Sequence, residues 1–350
     1  MNEIITLKRF ANIDLNDTFF NSLKEDYPGF DAWFEKKSKD NSEAYVQYTN
    51  DNLQAFLYLK NESGEALTDI TPIRPACNRL KVGTFKIDAH NTKLGERFVK
   101  KILDTALDMK AEEIYVTIYP KHEGLVRILQ RYGFNEEGKK GEELVLVKNM
   151  KILTGDILKD FPLLTTKYKR KFLLSIYPKY HTKMFPDSIL RNEESKKYEL
   201  VKDVSYTNSI HKVYLCFMSD TAKLQRGDII AIYRTKDDKG SARYRSVITS
   251  ICQIEEVKTN KDFATVEDFL AYTNFYSIFD SEELKQWYQQ KNCYILKMTY
   301  NIALTKRVTN GYLVDNLNMS PKYWGFFQLT DEQFDAILKK GEVDEGVIID

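Results

Sequence analysis

Apolar and polar positions follow a regular order between residues 80 and 134. LKVGTFKID (80–88) and EEIYVTIYP (112–120) predict strands, and LGERFVKKILDTALDMKA (94–111) and HEGLVRILQRYGF (122–134) predict helices. The predicted order is strand, turn, helix, strand, helix. A helix that begins directly after a strand presents backbone N–H groups that can bind an anion. We therefore expect this junction to hold an anionic ligand, either an acyl-CoA or a nucleotide.

The segments on either side extend this pattern. Residues 17–27 and 30–40 predict two helices, which are separated by Pro28 and Gly29. Residues 44–65 alternate around an Asn-Asp turn, as a hairpin does. VLVKNM (145–150) predicts a further strand. Together these elements predict a mixed α/β domain.

The pattern changes after residue 150. Residues 159–199 are rich in Lys, Tyr and Pro and lack a long apolar period, which predicts an ordered linker arm. Beyond it a helical block at 265–291 interrupts short strands at 211–218, 227–235, 244–257 and 293–302, which favours a small β-barrel. A chain of 350 residues is also long for one core. We expect a mixed domain over 1–150, a basic arm over 151–199 and a mostly-β barrel over 200–350.

Charge and cysteine content narrow the classes of function. The chain has 52 basic and 51 acidic side chains, so a polyanion would have to be bound by a local cluster. Four widely spaced cysteines form no metal-ligand pattern, which predicts reduced thiols and no metal. The first residues contain no apolar leader, and no apolar run has the length of a membrane helix. These features predict a soluble, cytoplasmic protein.

Two motifs lie in the strand–helix region, His90-Asn91-Thr92-Lys93-Leu94-Gly95 and YGFNEEG (132–138). With them, residues 80–150 resemble the GNAT (Gcn5-related) N-acetyltransferase family, whose phosphate turn is R/Q-x-x-G-x-G/A. The final Gly matches, whereas the first position is His and the middle Gly is Lys. The resemblance implies a GNAT acyltransferase fold, of the α/β (α+β) class, over 1–150, with acetyl-CoA as cofactor. It implies cofactor contacts from Phe85, Lys86, Ile87, Lys93, Leu94, Gly95, Glu96, Arg97 and His122.

The catalytic residues are less clearly marked. In many relatives a Tyr five residues before the Phe of the GF ending protonates the leaving thiolate, but this chain has Leu129 there. Tyr119, Tyr132 and His122 are the remaining candidates for the acid, although Tyr119 and Tyr132 also suit a packing role and His122 also suits a helix cap. Asp88, His90 or a chain of waters is the candidate base, and a His pKa of about 6.5 suits this task near neutrality.

A basic hairpin, residues 226–257, lies in the second half of the chain. Residues 200–345 resemble the ASCH/PUA-like β-barrel family, in which the barrel cleft binds RNA or modified bases. Basic side chains bind phosphates and aromatic faces stack on bases. The resemblance therefore implies a nucleic-acid site at Arg226, Tyr233, Arg234, Arg243 and Arg245. The alternative is a solvated hairpin with core tyrosines.

These expectations favour an acetyl-CoA-dependent N-acetyltransferase with a C-terminal RNA-binding domain. Its acceptor would be linked to RNA, as a tRNA, an aminoacyl-tRNA or a ribosomal component is. One alternative is a catalytically degenerate module that binds acetyl-CoA and RNA, because Leu129 replaces the expected Tyr. The other is an acetyltransferase for a protein or a small amine, with the barrel as a docking surface.

Overall fold

The computed structural model describes residues 4–88, 93–185, 188 and 209–350. The chain forms two compact units, Met1–Lys151 and Ile152–Asp350. Each unit combines helices with one mixed sheet, so the coarse expectation of a two-domain α/β architecture is confirmed.

In the described part of the first unit, seven strands form a sheet in the order β1-β2-β3-β4-β5-β7-β6. The strands are β1 (Thr6–Arg9), β2 (Glu43–Thr49), β3 (Asn52–Asn61), β4 (Arg79–Ile87), β5 (Glu113–Ile118), β6 (Asn135–Lys140) and β7 (Glu143–Asn149). The pair β4–β5 is parallel and the other neighbours are antiparallel. Asn50 and Asp51 both have positive φ, as a tight β2–β3 hairpin turn requires.

Four α-helices belong to the described part of this unit: α1 (Asn21–Asp26), α2 (Phe30–Lys39), α3 (Leu94–Asp108) and α4 (Glu123–Arg131). Helix α3 buries one apolar face, which includes Phe98, Ile102 and Leu103. It ends where Lys110 adopts a positive φ and Ala111 N donates to Ala106 O. An aromatic cluster around Phe10 and Phe56 packs α1 and α2 against the sheet.

A buried ion cluster joins the first residues of the parallel strands. Glu113 on β5 accepts from Arg79 Nε on β4 at 2.5 Å and from Arg74 Nη2 at 2.6 Å. Arg79 also donates to the carbonyl groups of Glu65 and Pro75, both at 2.8 Å. Because the cation and the carboxylate are both satisfied, this cluster holds β4 and β5 together at one end.

The described part of the second unit has six strands in the order β13-β8-β10-β11-β12-β9. They are β8 (Lys171–Ile176), β9 (His211–Cys216), β10 (Ile229–Arg234), β11 (Val247–Thr259), β12 (Tyr294–Thr309) and β13 (Phe326–Leu329). The helices are α5 (Ile157–Asp160), α6 (Pro178–Met184), α7 (Ala242–Arg245), α8 (Val266–Thr273), α9 (Ser281–Tyr288), α10 (Asn310–Leu317) and α11 (Asp331–Lys340).

This second sheet is curved. Tyr214 Oη on β9 lies 3.5 Å from Ser175 O on β8, although the two strands stand near opposite ends of the sheet order. Within the described residues no strand pairing joins β13 to β9, and the sheet is mixed because β8 and β10 pair in parallel. Repeated bulges between β11 and its neighbours produce this curvature, because a bulge bends a strand and increases its twist.

Residues 171–176 differ from the prediction of a linker arm over 151–199. They form β8, which pairs parallel to β10 and antiparallel to β13. Phe172, Leu173 and Leu174 are fully buried. Strand β8 is only six residues long and its apolar part begins at Phe172, directly after Lys169, Arg170 and Lys171, so this charged flank hid a central strand.

Candidate active site

The two parallel strands separate at their carboxyl ends. Pairing of β4 with β5 runs from Arg79 and Glu113 to Val82 and Val116. Strand β4 nevertheless continues to Ile87 and β5 to Ile118. Among the described residues, the later part of β4 pairs only with β3. One edge of β4 therefore faces an opening, a common position for ligand sites in sheets with parallel strands.

A cavity of about 1140 Å³ occupies this opening. Its walls come from β4, β5, the start of β7, the first turn of α3, the length of α4, and the α1–α2 segment. Eight of the residues predicted to form the site line it: Phe85, Lys86, Ile87, Asp88, Lys93, Gly95, Glu96 and His122. Separate segments of the chain thus meet around one space, while the role of each residue stays a prediction.

Gly83 forms a bulge in β4 next to the cavity. Tyr58 pairs with Thr84 and Leu59 with Val82, so Gly83 is the extra residue on β4. A Cβ at this position would lie 2.7 Å from the ring of Tyr58. Any residue other than glycine would therefore force the ring or the strand to move. A bulge leaves its extra residue outside the regular ladder. The sequence carried a signal for it, because an isolated Gly in a strand pattern often marks a bulge.

The predicted cofactor residues differ in their surroundings. A Cβ on Gly95 would lie 2.8 Å from Ile128 Cδ1, so this glycine allows α3 to approach α4 closely. Lys86 turns its amine to the N-terminal helices, where Nζ donates to Ser22 Oγ at 2.8 Å. Leu94 and Arg97 are buried and do not belong to the cavity lining. Sequence reasoning treated residues 93–97 as one turn, whereas the geometry of α3 directs Leu94 and Arg97 into the core.

The four predicted catalytic residues do not share one environment. His90 lies outside the described residues. Asp88 lines the cavity, and its carboxylate is 3.4 Å from Lys86 Nζ. Tyr119 packs on Tyr27 with ring centroids 5.2 Å apart, outside the lining. Tyr132 is fully buried and its hydroxyl donates to Glu96, because the residue ends α4 against the core. Tyr132 therefore lies outside the cavity lining, although its partner Glu96 belongs to it.

A group that sequence reasoning missed lies at the carboxyl end of β5. Asp26 Oδ2, at the end of α1, is 3.2 Å from His122 Nε2. Lys121 Nζ contacts the other oxygen of the same carboxylate. Burial and the neighbouring carboxylate of Glu143 raise the pKa of the Tyr27 hydroxyl. Nothing in the local sequence indicated this group, because its members are up to about 120 positions apart and meet only through the sheet.

The predicted nucleic-acid residues of the second unit are separated or already paired. Tyr233 is 2% exposed and stacks on Trp324, and Arg234 is also buried. Arg243 forms a two-bond ion pair with Asp315. Arg245 does the same with Asp237, and this bond holds the pKa of Asp237 below its usual range.

Arg226 precedes β10, whereas Arg234 ends it, so these two residues lie at opposite ends of the strand. The Nη1 atom of Arg226 donates to the carbonyl of Glu255 at 3.2 Å. The five residues therefore do not form one exposed basic surface. Sequence spacing suggested such a surface because it does not reveal which carboxylates neutralise the arginines.

Two further observations concern metals and membranes. Among the described residues, no cluster of three or more His, Cys, Asp or Glu side chains is arranged to hold a metal ion. In the same part of the chain, every helix is too short or too polar to cross a membrane.

Parts of the chain are similar to solved structures. ASCH from Zymomonas mobilis is 8% identical, with a TM-score of 0.32, over 48% of this chain and 94% of that one. The N-acetyltransferase PseH from Campylobacter jejuni, in complex with acetyl coenzyme A, is 10% identical, with a TM-score of 0.29, over 42% and 99%. A GNAT family acetyltransferase from Elizabethkingia anophelis with acetyl-CoA bound is 12% identical, with a TM-score of 0.29, over 41% and 97%.

No protein-family model matches the chain, and no curated protein is significantly similar to it. At the identities and TM-scores of the solved structures, these similarities carry no argument about activity.

Proposed function

We propose that the first unit transfers an acetyl group from acetyl-CoA to an amine. The observation that carries this proposal is the separation of two parallel strands around a large cavity, with a bulge at Gly83 on one of them. Acyl transfer from a thioester needs a binding site for an extended cofactor arm, groups that stabilise the developing oxyanion, and an acceptor site. The cavity has a feature suited to the cofactor arm and another suited to its phosphate end.

The cofactor arm fits the open edge of β4. The pantetheine arm of coenzyme A is an extended chain with two amide groups. Such a chain can add to a sheet edge as a strand does, through backbone hydrogen bonds. The edge of β4 beyond Val82 faces the cavity, and β5 lies on the other side of the gap. An amide chain in this gap would therefore be held between β4 and β5.

The phosphate end fits the beginning of α3. This helix has 15 residues, and Lys93 and Gly95 at its first turn line the cavity. Its backbone N–H groups and positive dipole end favour a diphosphate. The ammonium group of Lys93 would add a charge-assisted contact. A diphosphate at this turn and a thioester near Gly83 would place the cofactor along β4.

The proposal is tested by titrating the full chain with acetyl-CoA in a calorimeter. We expect saturable binding to the wild type and at least a tenfold weaker affinity for Gly95→Glu, because a carboxylate at this turn repels the diphosphate. Thr105→Glu is the matched control, since it adds the same charge to the same helix outside the cavity lining. Equal affinity of Gly95→Glu and Thr105→Glu would place the diphosphate elsewhere, and no binding to the wild type would overturn the proposal.

A further inference from the structure

The acceptor end of the cavity has an apolar wall that is already formed. Leu23, Phe30 and Trp33, from α1 and α2, line the cavity. The ring of Trp33 is held by neighbours, with centroids 5.4 Å from Phe30, 5.6 Å from Phe10 and 5.7 Å from Tyr58. A fixed aromatic wall favours an apolar ligand body, since little side-chain freedom is lost when the body binds.

A polar group adjoins this wall. Tyr27 and Glu143 both line the cavity, and the Glu143 carboxylate lies near the Tyr27 hydroxyl. A carboxylate beside an aromatic ring attracts an ammonium group by charge and by the ring quadrupole. The polar group therefore suits the amine end of a ligand whose body lies on the apolar wall.

His122 is placed to receive a proton in the same region. Its side chain lines the cavity and is 35% exposed, whereas the Asp26 carboxylate behind it is only 12% exposed. His122 Nε2 lies 3.2 Å from Asp26 Oδ2, so the carboxylate favours a proton on Nε2 and the neutral ring then keeps its lone pair on Nδ1. The same carboxylate stabilises the imidazolium that forms when Nδ1 takes a proton. The other charged groups nearby are Lys121, Glu123 and Glu143.

Resting on the proposed acetyl transfer, we infer that the acceptor is a primary amine carried on an apolar body. Phe30 and Trp33 hold the body, Tyr27 and Glu143 hold the amine, and His122, oriented by Asp26, is the general base. His122 Nδ1 takes one proton from the bound ammonium, and the neutral amine nitrogen then attacks the thioester carbonyl. The N–C bond forms and the C–S bond breaks. The thiolate leaves with the electron pair and takes, through water, the second proton that the nitrogen loses, and His122 releases its proton to the solvent.

The experiment measures thiol release from acetyl-CoA by the full chain with 2-phenylethylamine, ethylamine, spermidine or total cell RNA as acceptor. We expect the highest kcat/KM for 2-phenylethylamine. Trp33→Ala should raise the KM for this amine roughly tenfold and leave that for ethylamine unchanged, because ethylamine has no body to place on the wall.

The base is tested with His122→Gln and Asp26→Asn. General base catalysis contributes roughly 100-fold or more, so His122→Gln should lower kcat/KM by that factor while the Kd for acetyl-CoA stays the same. Asp26→Asn should lower kcat less and leave the Kd for acetyl-CoA unchanged, since it alters only the support of the imidazole. Asp69→Asn is the matched control, because this carboxylate pairs with Lys140 and lies outside the cavity lining.

The outcomes separate this inference from the proposed function. If acetyl-CoA does not bind, the proposed function fails and the inference fails with it. If acetyl-CoA binds and its acetyl group enters RNA or spermidine in preference to 2-phenylethylamine, the acceptor inference is overturned and the proposed function survives. If His122→Gln weakens acetyl-CoA binding and leaves kcat unchanged, His122 is a cofactor contact and not the base.

Discussion

At the scale of single residues, burial changes what a side chain can do. Tyr132 and Tyr233 are common types at functional sites, yet both are held in cores by specific partners. His181 is another example. It is fully buried on α6, where Nε2 lies 2.7 Å from Thr249 Oγ1. Burial lowers its pKa well below the usual value, and the positive charges of Arg234 and Arg307 lower it further.

This histidine predicts a loss of stability in acid. Above a pH of about 6.5 the ring is neutral in both states and has no effect. Below that pH the unfolded chain binds a proton that the folded chain does not, so the unfolding free energy of the second unit falls by up to about 1.4 kcal/mol per pH unit. His181→Gln can keep the contact with Thr249 and removes the proton uptake. Urea unfolding at pH 7.5 and 5.5 should therefore show a smaller acid loss for the variant, and equal losses would contradict the prediction.

At the scale of elements, the Arg79–Glu113 ion pair holds β4 and β5 together at the end where the two strands pair. The pair fixes the first residues of both strands, and the ladder ends three residues later at Val82 and Val116. The cavity then opens between β4 and β5, and the ion pair holds these two strands together at their other end. The ion pair thus supports the candidate site without touching it.

This pair predicts a large effect of one neutral substitution. Glu113→Gln would leave Arg79 buried without its carboxylate, which costs about 3–5 kcal/mol of unfolding free energy. The matched control is Asp69→Asn, because Asp69 and Lys140 form an exposed pair that contributes under about 1 kcal/mol. Denaturant unfolding of the first unit measures both values. A loss for Glu113→Gln as small as that for Asp69→Asn would show that the buried pair adds no stability.

Elements with their own periodicity were predictable from the sequence. The pattern placed α3 over 94–111 and the structure has Leu94–Asp108, and the hairpin at 44–65 appears as β2 and β3. β1 and β13 were missed because they are short, β6 because its sequence NEEGKK is polar, and β8 because charged residues precede its apolar run. Contacts such as Asp26 with His122 depend on tertiary structure, so no local pattern indicates them.

At the scale of the whole molecule, each unit has its own core. The Phe10–Phe56 cluster lies within the first unit, and the cluster around Phe172, Ile232 and Phe269 lies within the second. Units with separate cores can unfold in separate transitions. A ligand that binds the first unit would then stabilise only that unit.

Scanning calorimetry of the full chain tests this expectation together with the proposed function. We expect two transitions, of which Glu113→Gln lowers one and His181→Gln, at pH 5.5, raises the other. Acetyl-CoA at 100 times its Kd should stabilise only the transition that Glu113→Gln lowers, by about 2.7 kcal/mol, because the cofactor binds the folded first unit and not the unfolded chain. A single transition that acetyl-CoA moves as a whole would show that the two cores unfold together. A shift confined to the transition that His181→Gln raises would place the cofactor in the second unit, away from the cavity between β4 and β5.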